Sequence, residues 1–329
     1  MLYSLLSNKL SYNLIVVIAA AVGFAGTFLA LAKPPRFLPR DGGKFIIDKD
    51  GNRQAVNEKS NGKVTGAGFI FVLLFLISTF LFLPFSIELL IYLVLGFLMM
   101  MTGYLDDTAK NPWGELVKGI LDLALSVATV VVFLACNSSD VVVLGKTFHL
   151  PVVVYAILGT MLIWASINVT NCTDGVDGLC GSISVIELFT LYMLFAKNIG
   201  DKAGISMILA FVIVGYLAYN WHPSTVLMGD AGSRTIGYMI ALICMLSGHP
   251  FLFLLLSLVF IFDGGLGLLK LAVKRVFKIK FLDNIRFPFH DELRKNRSWS
   301  IKKIVIFFAI WQAVDCAIAA VLVFFTVSR

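Results

Sequence analysis

Four polar stretches hold the residues that could do chemistry. "YLDDTAKN" closes a long apolar run with Asp106 and Asp107 side by side. "NVTNCTDGVDGLCG" packs Asn168, Asn171, Asp174 and Asp177 among Gly175, Gly178 and Gly181. "NWHPSTVLMGDAGSR" carries Asn220, His222 and Asp230, and "NIRFPFHDELRKNRSW" adds His290 with acids and basic residues. Neighbouring residues on a helix point about 100° apart, so the two aspartates need not share a partner. Lys118 could reach a phosphate or neutralise Asp122 at i+4. Repeated Asp-Gly favours turns that expose backbone to a ligand. Asp230 could bind a metal beside backbone N–H groups suited to phosphate.

Each stretch also has a plain reading. Asp106 and Asp107 could be a solvated helix end, the Asp-Gly stretch a turn followed by an N-cap for span six, Asp230 an N-cap, Lys118 a snorkelling side chain and His290 a loop residue. Taken together, carboxylates, amides, a histidine and lysines suit Mg²⁺-assisted chemistry on a phosphorylated substrate. Mg²⁺ takes one or two carboxylates plus phosphate oxygens and water, and neutralises charge on a departing phosphate. No Walker A or GxGxxG motif supports an ATP or NAD site. The five cysteines form no CxxC pair, and no Cys/His cluster supports zinc.

These residues sit in a chain that is mostly oil. Of its 329 residues 59% are hydrophobic and only 14% charged, where a soluble domain would carry about a quarter charged. Apolar runs of about 20 residues recur, as in an integral membrane protein. The first run, from about Leu14 to Ala32, lacks a basic flank and a small-residue cleavage site, so it reads as a retained helix. No window alternates as barrel strands do. The expectation is an all-α polytopic membrane protein, one domain over 1–329, with about ten spans at 13–32, 66–84, 87–105, 115–136, 150–169, 179–196, 204–221, 231–247, 250–272 and 304–327. The loop 33–65 is polar and hairpin-like, and "DKDGN" in it is a turn lacking the remaining ligands of a calcium loop.

Charge orients the spans. One set of loops and their flanks holds 22 of the 27 Lys and Arg, including Lys59, Lys63, Lys118 and the run from Lys270 to Lys303. By the positive-inside rule that face is cytoplasmic and both termini are extracytoplasmic. The net charge of +7 then reflects basic loops and calls for no nucleic acid. Asp106, Asp107, Asp174, Asp177 and Asp230 all fall on the cytoplasmic side, in short loops after spans three, five and seven.

In order and spacing, "KSNGKVTGAG", Asp106-Asp107, "NCTDGVDGL", "YNWHPSTVLMGDAGS", "FPFHDE" and "WSIKKIVIFF" resemble the polyprenyl-phosphate N-acetylhexosamine-1-phosphate transferase superfamily. Within it they resemble the phospho-N-acetylmuramoyl-pentapeptide transferase (MraY) family, over nearly the whole chain. The resemblance implies transfer of phospho-MurNAc-pentapeptide from UDP-MurNAc-pentapeptide to undecaprenyl phosphate, giving lipid I and UMP, in the bacterial plasma membrane with Mg²⁺ as cofactor. It implies Asp230 as metal ligand, Asp106 as general base or nucleophile, and Asp107 near metal and phosphates. It implies Asn171 as needed for activity, Asp174, Asp177 and Asn220 about the nucleoside, Lys59 and Lys118 lining the site, and His290 as the first of three motif histidines. The bilayer is a partner, and a homodimer is among the assemblies this reading admits.

Two positions depart from the family. The motif Pro-x-His-His-His reads Pro288-Phe289-His290-Asp291-Glu292, and a common uracil-stacking Phe is Leu227. A sister UDP-GlcNAc-type transferase is therefore the nearest alternative. A secondary transporter is the more distant one, since Glu187, Asp263 and Asp315 lie inside spans. Asp263 is expected to satisfy a neighbouring helix, and Gly264, Gly265 and Gly267 to let span nine bend.

Overall fold

A lipid-embedded backbone has no water to bond, so apolar runs satisfy their own N–H and C=O groups as helices. The computed structural model describes residues 2–41, 45–47, 53–55, 62–109, 111, 113–279 and 282–327. After a short helical stretch at Leu2–Leu6, its main helices are α1 (Tyr12–Ala32), α2 (Ala67–Phe82), α3 (Ile87–Thr108), α4 (Glu115–Cys136), α5 (Val152–Thr173), α6 (Leu179–Ile199), α7 (Gly204–Asn220) and α8 (Asp230–Leu246). A broken helix, α9a (Pro250–Leu256) and α9b (Leu258–Phe277), bends by 64°. The last helix is α10 (Ile301–Val327).

Six of these, α1, α3, α4, α5, α6 and α10, are long and apolar enough to cross a membrane, and the bent pair would make a seventh. Helices α2 and α7 are apolar but have only 16 and 17 residues. Helix α8 is the central post. Every residue from Ala231 to Met245 is buried, against α3 and α5 most closely. It meets protein on all sides, so it can begin with the polar "DAGSRT" and lacks the uniform apolarity of a lipid-facing helix. By contrast α4 turns Leu116, Ile120, Val127 and Val131 outward.

Two antiparallel hairpins complete the fold. Strands β1 (Phe45–Ile47) and β2 (Arg53–Ala55) pair within the loop expected to be hairpin-like. Strands β3 (Asp140–Val143) and β4 (Lys146–His149) pair between α4 and α5, an element the hydropathy pattern did not announce.

The bend in the broken helix differs from expectation. It lies at Ser257, before the glycines. Buried Glu187 of α6 accepts the Ser257 hydroxyl there, and Gln312 of α10 donates to the Leu256 carbonyl at 2.6 Å. Gly264 serves close approach instead: a Cβ there would stand 2.6 Å from the Val169 carbonyl of α5. Asp315 of α10 is also buried, beside Trp311. Asp263 bonds to His290 in the following loop, not to a neighbouring helix.

Candidate active site

Helix α3 outlasts its apolar run and continues to Thr108. Asp106 and Asp107 therefore occupy its last turn, not a loop, and diverge as helical neighbours must. Asp106, 5% exposed, turns toward α4. Its Oδ1 accepts the Trp113 N–H at 2.6 Å and its Oδ2 meets Lys118 Nζ at 2.5 Å. Asp107 turns toward α8 and accepts the first free N–H groups of that helix, from Asp230 (3.3 Å) and Ala231 (3.5 Å). A carboxylate there answers both the unpaired donors and the positive end of the helix dipole.

This approach requires small residues. A Cβ on Gly103 of α3 would lie 2.5 Å from the Ala231 nitrogen, so α3 touches α8 backbone to backbone. Gly229, at φ 72°, is left-handed, and a Cβ there would lie 2.3 Å from Asp107 Oδ2. Gly229 is the residue before α8, so Asp230 opens the helix, and Asp107 does the capping that Asp230 could have done.

Lys118 joins the two helices' acids. Its Nζ lies 3.2 Å from Asp230 Oδ2 as well as against Asp106. The i+4 pairing with Asp122 does not form; Asp122 is bound by the buried Arg234 of α8. Asn171, in the last turn of α5, accepts the Ser233 hydroxyl at 2.8 Å. Asn168 instead turns back to the Trp164 carbonyl.

The loop after α5 forms the opposite wall. Asp174 takes the Gly229 N–H. Burial, reinforced by the Asp230 charge and offset in part by His290, raises its carboxyl to about 7. Asp177 binds His222 Nδ1 (3.0 Å), the Ser224 N–H (3.1 Å) and the Ser224 hydroxyl (2.8 Å), with Lys63 Nζ at 3.6 Å. Burial would raise Asp177, but these partners outweigh it and hold its carboxyl below the ordinary range. Asn220 has both polar ends engaged: it accepts the Gly178 N–H (2.8 Å) and donates to the Val226 carbonyl (2.9 Å). Its visible work is to lock two site loops together.

His290 joins this group, as the sequence alone could not establish. It is 2% exposed. Its Nδ1 binds Asp263 at 2.8 Å and its backbone N–H binds the same carboxylate at 2.7 Å. Its Nε2 abuts Gly175, where a Cβ would stand only 2.3 Å away. The acids that stand in for two motif histidines face elsewhere. Asp291 pairs with Arg294 and Lys295, and Glu292 accepts from the Arg286 N–H and Asn296. They knit the loop and leave the site to His290. Leu227 is zipped by its backbone to Val64 and Ala67.

Lys59 lies outside the described residues. Lys63, which the sequence marks only as a basic loop residue, stands at the candidate site, donating to Ser224 at 2.9 Å; it lies within the quoted "KSNGKVTGAG". Among the described residues no three His, Cys, Asp or Glu side chains form a ready metal cage. The donor set nonetheless suits Mg²⁺, which needs only one or two carboxylates. Asp230 and Asp106 already hold a cation, the Lys118 ammonium, between them.

Comparison with known proteins places the chain in a family. Residues 89–248 match the family model Glycosyl transferase family 4. Phospho-N-acetylmuramoyl-pentapeptide-transferase of Treponema pallidum (strain Nichols) is 37% identical, covering 92% of this chain and 87% of the relative. The enzyme of the same name from Thermoanaerobacter sp. (strain X514) is 31% identical over 95% and 99%. That of Staphylococcus aureus (strain bovine RF122 / ET3-1) is 28% identical over 77% and 83%.

Proposed function

The chain belongs to the phospho-N-acetylmuramoyl-pentapeptide transferase family, and from that premise we infer that the Asp106–Lys118–Asp230 cluster is its transfer site. The enzyme moves phospho-MurNAc-pentapeptide from UDP-MurNAc-pentapeptide to a polyprenyl phosphate, giving lipid I and UMP in peptidoglycan biosynthesis. The acceptor is undecaprenyl phosphate. We place the site at the cytoplasmic face of the bacterial plasma membrane, with ten crossings and both termini outside. The 22-to-5 division of basic residues supports that orientation. A soluble nucleotide sugar and a membrane-bound lipid phosphate can meet only at such an interface.

The observation that carries this reading is Lys118, bonded at once to carboxylates from α3 and α8. In the reaction an acceptor phosphate oxygen bonds to the sugar-bearing phosphorus, and the bond from that phosphorus to UMP breaks. The acceptor phosphate, with its second pKa near ~6, is already mostly ionised at neutral pH. Asp106, pinned by Trp113 N–H and Lys118, orients that phosphate and takes any remaining proton. Lys118 offers positive charge to the transferring phosphate. Asp107 holds the start of α8 in place, so that Asp230 faces the phosphates. Asp174 and Asp177 line the wall assigned to the nucleoside, and Asn220 fixes that wall. His290, fixed by Asp263, supports it from the loop side. Asp230, with Asp106 or Asp107 close by, would hold Mg²⁺, which when bound supplies charge neutralisation to the leaving nucleotide.

The test is radiolabel transfer from UDP-MurNAc-pentapeptide to undecaprenyl phosphate, with UDP-GlcNAc as competitor. Label in lipid I and release of UMP are expected, and preferential transfer of GlcNAc-1-phosphate would overturn the donor assignment. UMP release without acceptor, with the phospho-sugar left bonded to the protein, would instead support attack by an aspartate.

A further inference from the structure

Helices α4 and α8 run in the same direction away from the site, and three successive polar rungs join them. Lys118 meets Asp230, Asp122 meets Arg234, and Thr129 reaches Tyr238 at 3.4 Å. The first two rungs alternate in sign: α4 presents Lys then Asp, and α8 presents Asp then Arg, each four residues apart. Residues at i and i+4 are also neighbours on one helix face. Every charge in this square therefore has two opposite charges within reach, one along its helix and one across.

Arg234 is 1% exposed and Asp122 2%. A charge so buried must be paired. Arg234 nevertheless leaves Nε and Nη1 without a hydrogen-bond partner. It is therefore not placed to satisfy its own five donors, and among the described residues its ionic bond goes to Asp122. Without that bond, the charge nearest Asp122 along α4 is Lys118, whose ammonium holds Asp106 and Asp230.

We propose that Arg234 is a positioning residue that claims Asp122 and so keeps Lys118 at the transfer site. The pair sorts charges: crosswise pairing below forces crosswise pairing above. The active lysine is thus held toward Asp106 and Asp230 by a residue that touches neither of them. Asp122 in return keeps Arg234 from folding back onto Asp230, four residues before it on α8. The proposal rests on Lys118, Asp106 and Asp230 being the transfer site.

The experiment compares Arg234→Leu with the double variant Arg234→Leu/Asp122→Asn, at a temperature where both are folded and monodisperse in detergent. Arg234→Leu leaves Asp122 without its partner across the helices and free to turn to Lys118. Losing a hydrogen bond to a charged group corresponds to about a 10- to 150-fold change, and kcat for lipid I formation is expected to fall by at least the lower figure. Adding Asp122→Asn removes the competing charge and should restore kcat to within about threefold of the parent. The labelling rate of Lys118 by an amine-reactive reagent should change in the single variant and return in the double. If Arg234 were only a bridge between helices, the double variant would lack the bridge too, and no recovery would appear; that result overturns the proposal. Arg234→Gln serves in the same pair should the leucine variant fail to fold. Lys118→Met separates the two readings. Full activity in it removes the site assignment. Loss of activity in it, together with no recovery in the double variant, removes charge sorting alone.

Discussion

Asp263 holds His290 twice, through the ring Nδ1 at 2.8 Å and through the backbone N–H at 2.7 Å, although 27 residues separate them. The acid sits inside the broken helix and the histidine lies in the helical turn Phe289–Asp291 after Pro288. One carboxylate thereby sets both the position and the ring orientation of His290 against Gly175. Asp263→Asn keeps one acceptor but gives up the charge-assisted bond. Lipid I formation should drop by about 10- to 150-fold, from the ~1.5–3 kcal/mol typical of bonds to charged groups. Radiolabel transfer measures it, and an unchanged rate would mean that the reaction does not depend on a fixed His290.

Asp230→Asn should abolish turnover while the protein stays monodisperse in detergent, because the carboxylate facing Lys118 is lost but the helix start is still capped by Asp107. Chelation of Mg²⁺ from the unaltered enzyme should give the same loss, reversed on readdition. Normal rates in Asp230→Asn would remove it as ligand.

Asp106→Asn should slow transfer by at least ~10²-fold, the lower range for a general base. It should also free Lys118 from one of its two partners. A near-normal rate would make Asp106 structural.

Gly103→Ala asks for room that does not exist, since the added Cβ meets the Asp230–Ala231 peptide at 2.5 Å. Overpacking of this kind costs about 1–3 kcal/mol. The melting temperature should fall, and activity should fall further than the loss of folded protein explains, because α3 carries Asp106 and Asp107 away from α8. Equal activity per folded molecule would separate this contact from the site.

Asp177 makes the site wall acid-sensitive. Its carboxyl is held below the unfolded value of about 3.9. Its contribution to stability is therefore complete above that value and disappears as pH falls through the folded one. His222→Ala removes one of the partners that lower it, so the folded value rises toward the ordinary range and less stabilisation remains. Melting temperature recorded against pH should show the same onset near the unfolded value but a smaller acid loss in the variant, finished at a higher pH. Superimposed curves would mean that Ser224 and Lys63 alone set the Asp177 charge.

Much of this protein is written along the chain. Apolar runs of membrane length locate helices, because backbone groups in lipid must bond within their own segment. The four motif stretches supplied Asp106, Asp107, Asn171, Asp174, Asp177, Asp230 and His290 before any contact was known. The helix ends were less legible. Asp106 and Asn171 read as loop residues but are helical, since hydropathy marks where lipid ends and not where the helix does. Helix α8 read like any other span, yet its burial on all sides explains its short length and polar start.

Type and order of residues thus determined the class of molecule, its helices and the stock of chemical groups. What each charged group does was decided only in three dimensions. Lys118 could have bonded Asp122 along its own helix, and Asp263 could have satisfied a neighbouring one. Sequence spacing offers every nearby opposite charge as a partner, whereas packing leaves one geometry with the buried charges paired. The close backbone contact of α3 with α8 at Gly103, and the buried Arg234 on Asp122, made that choice.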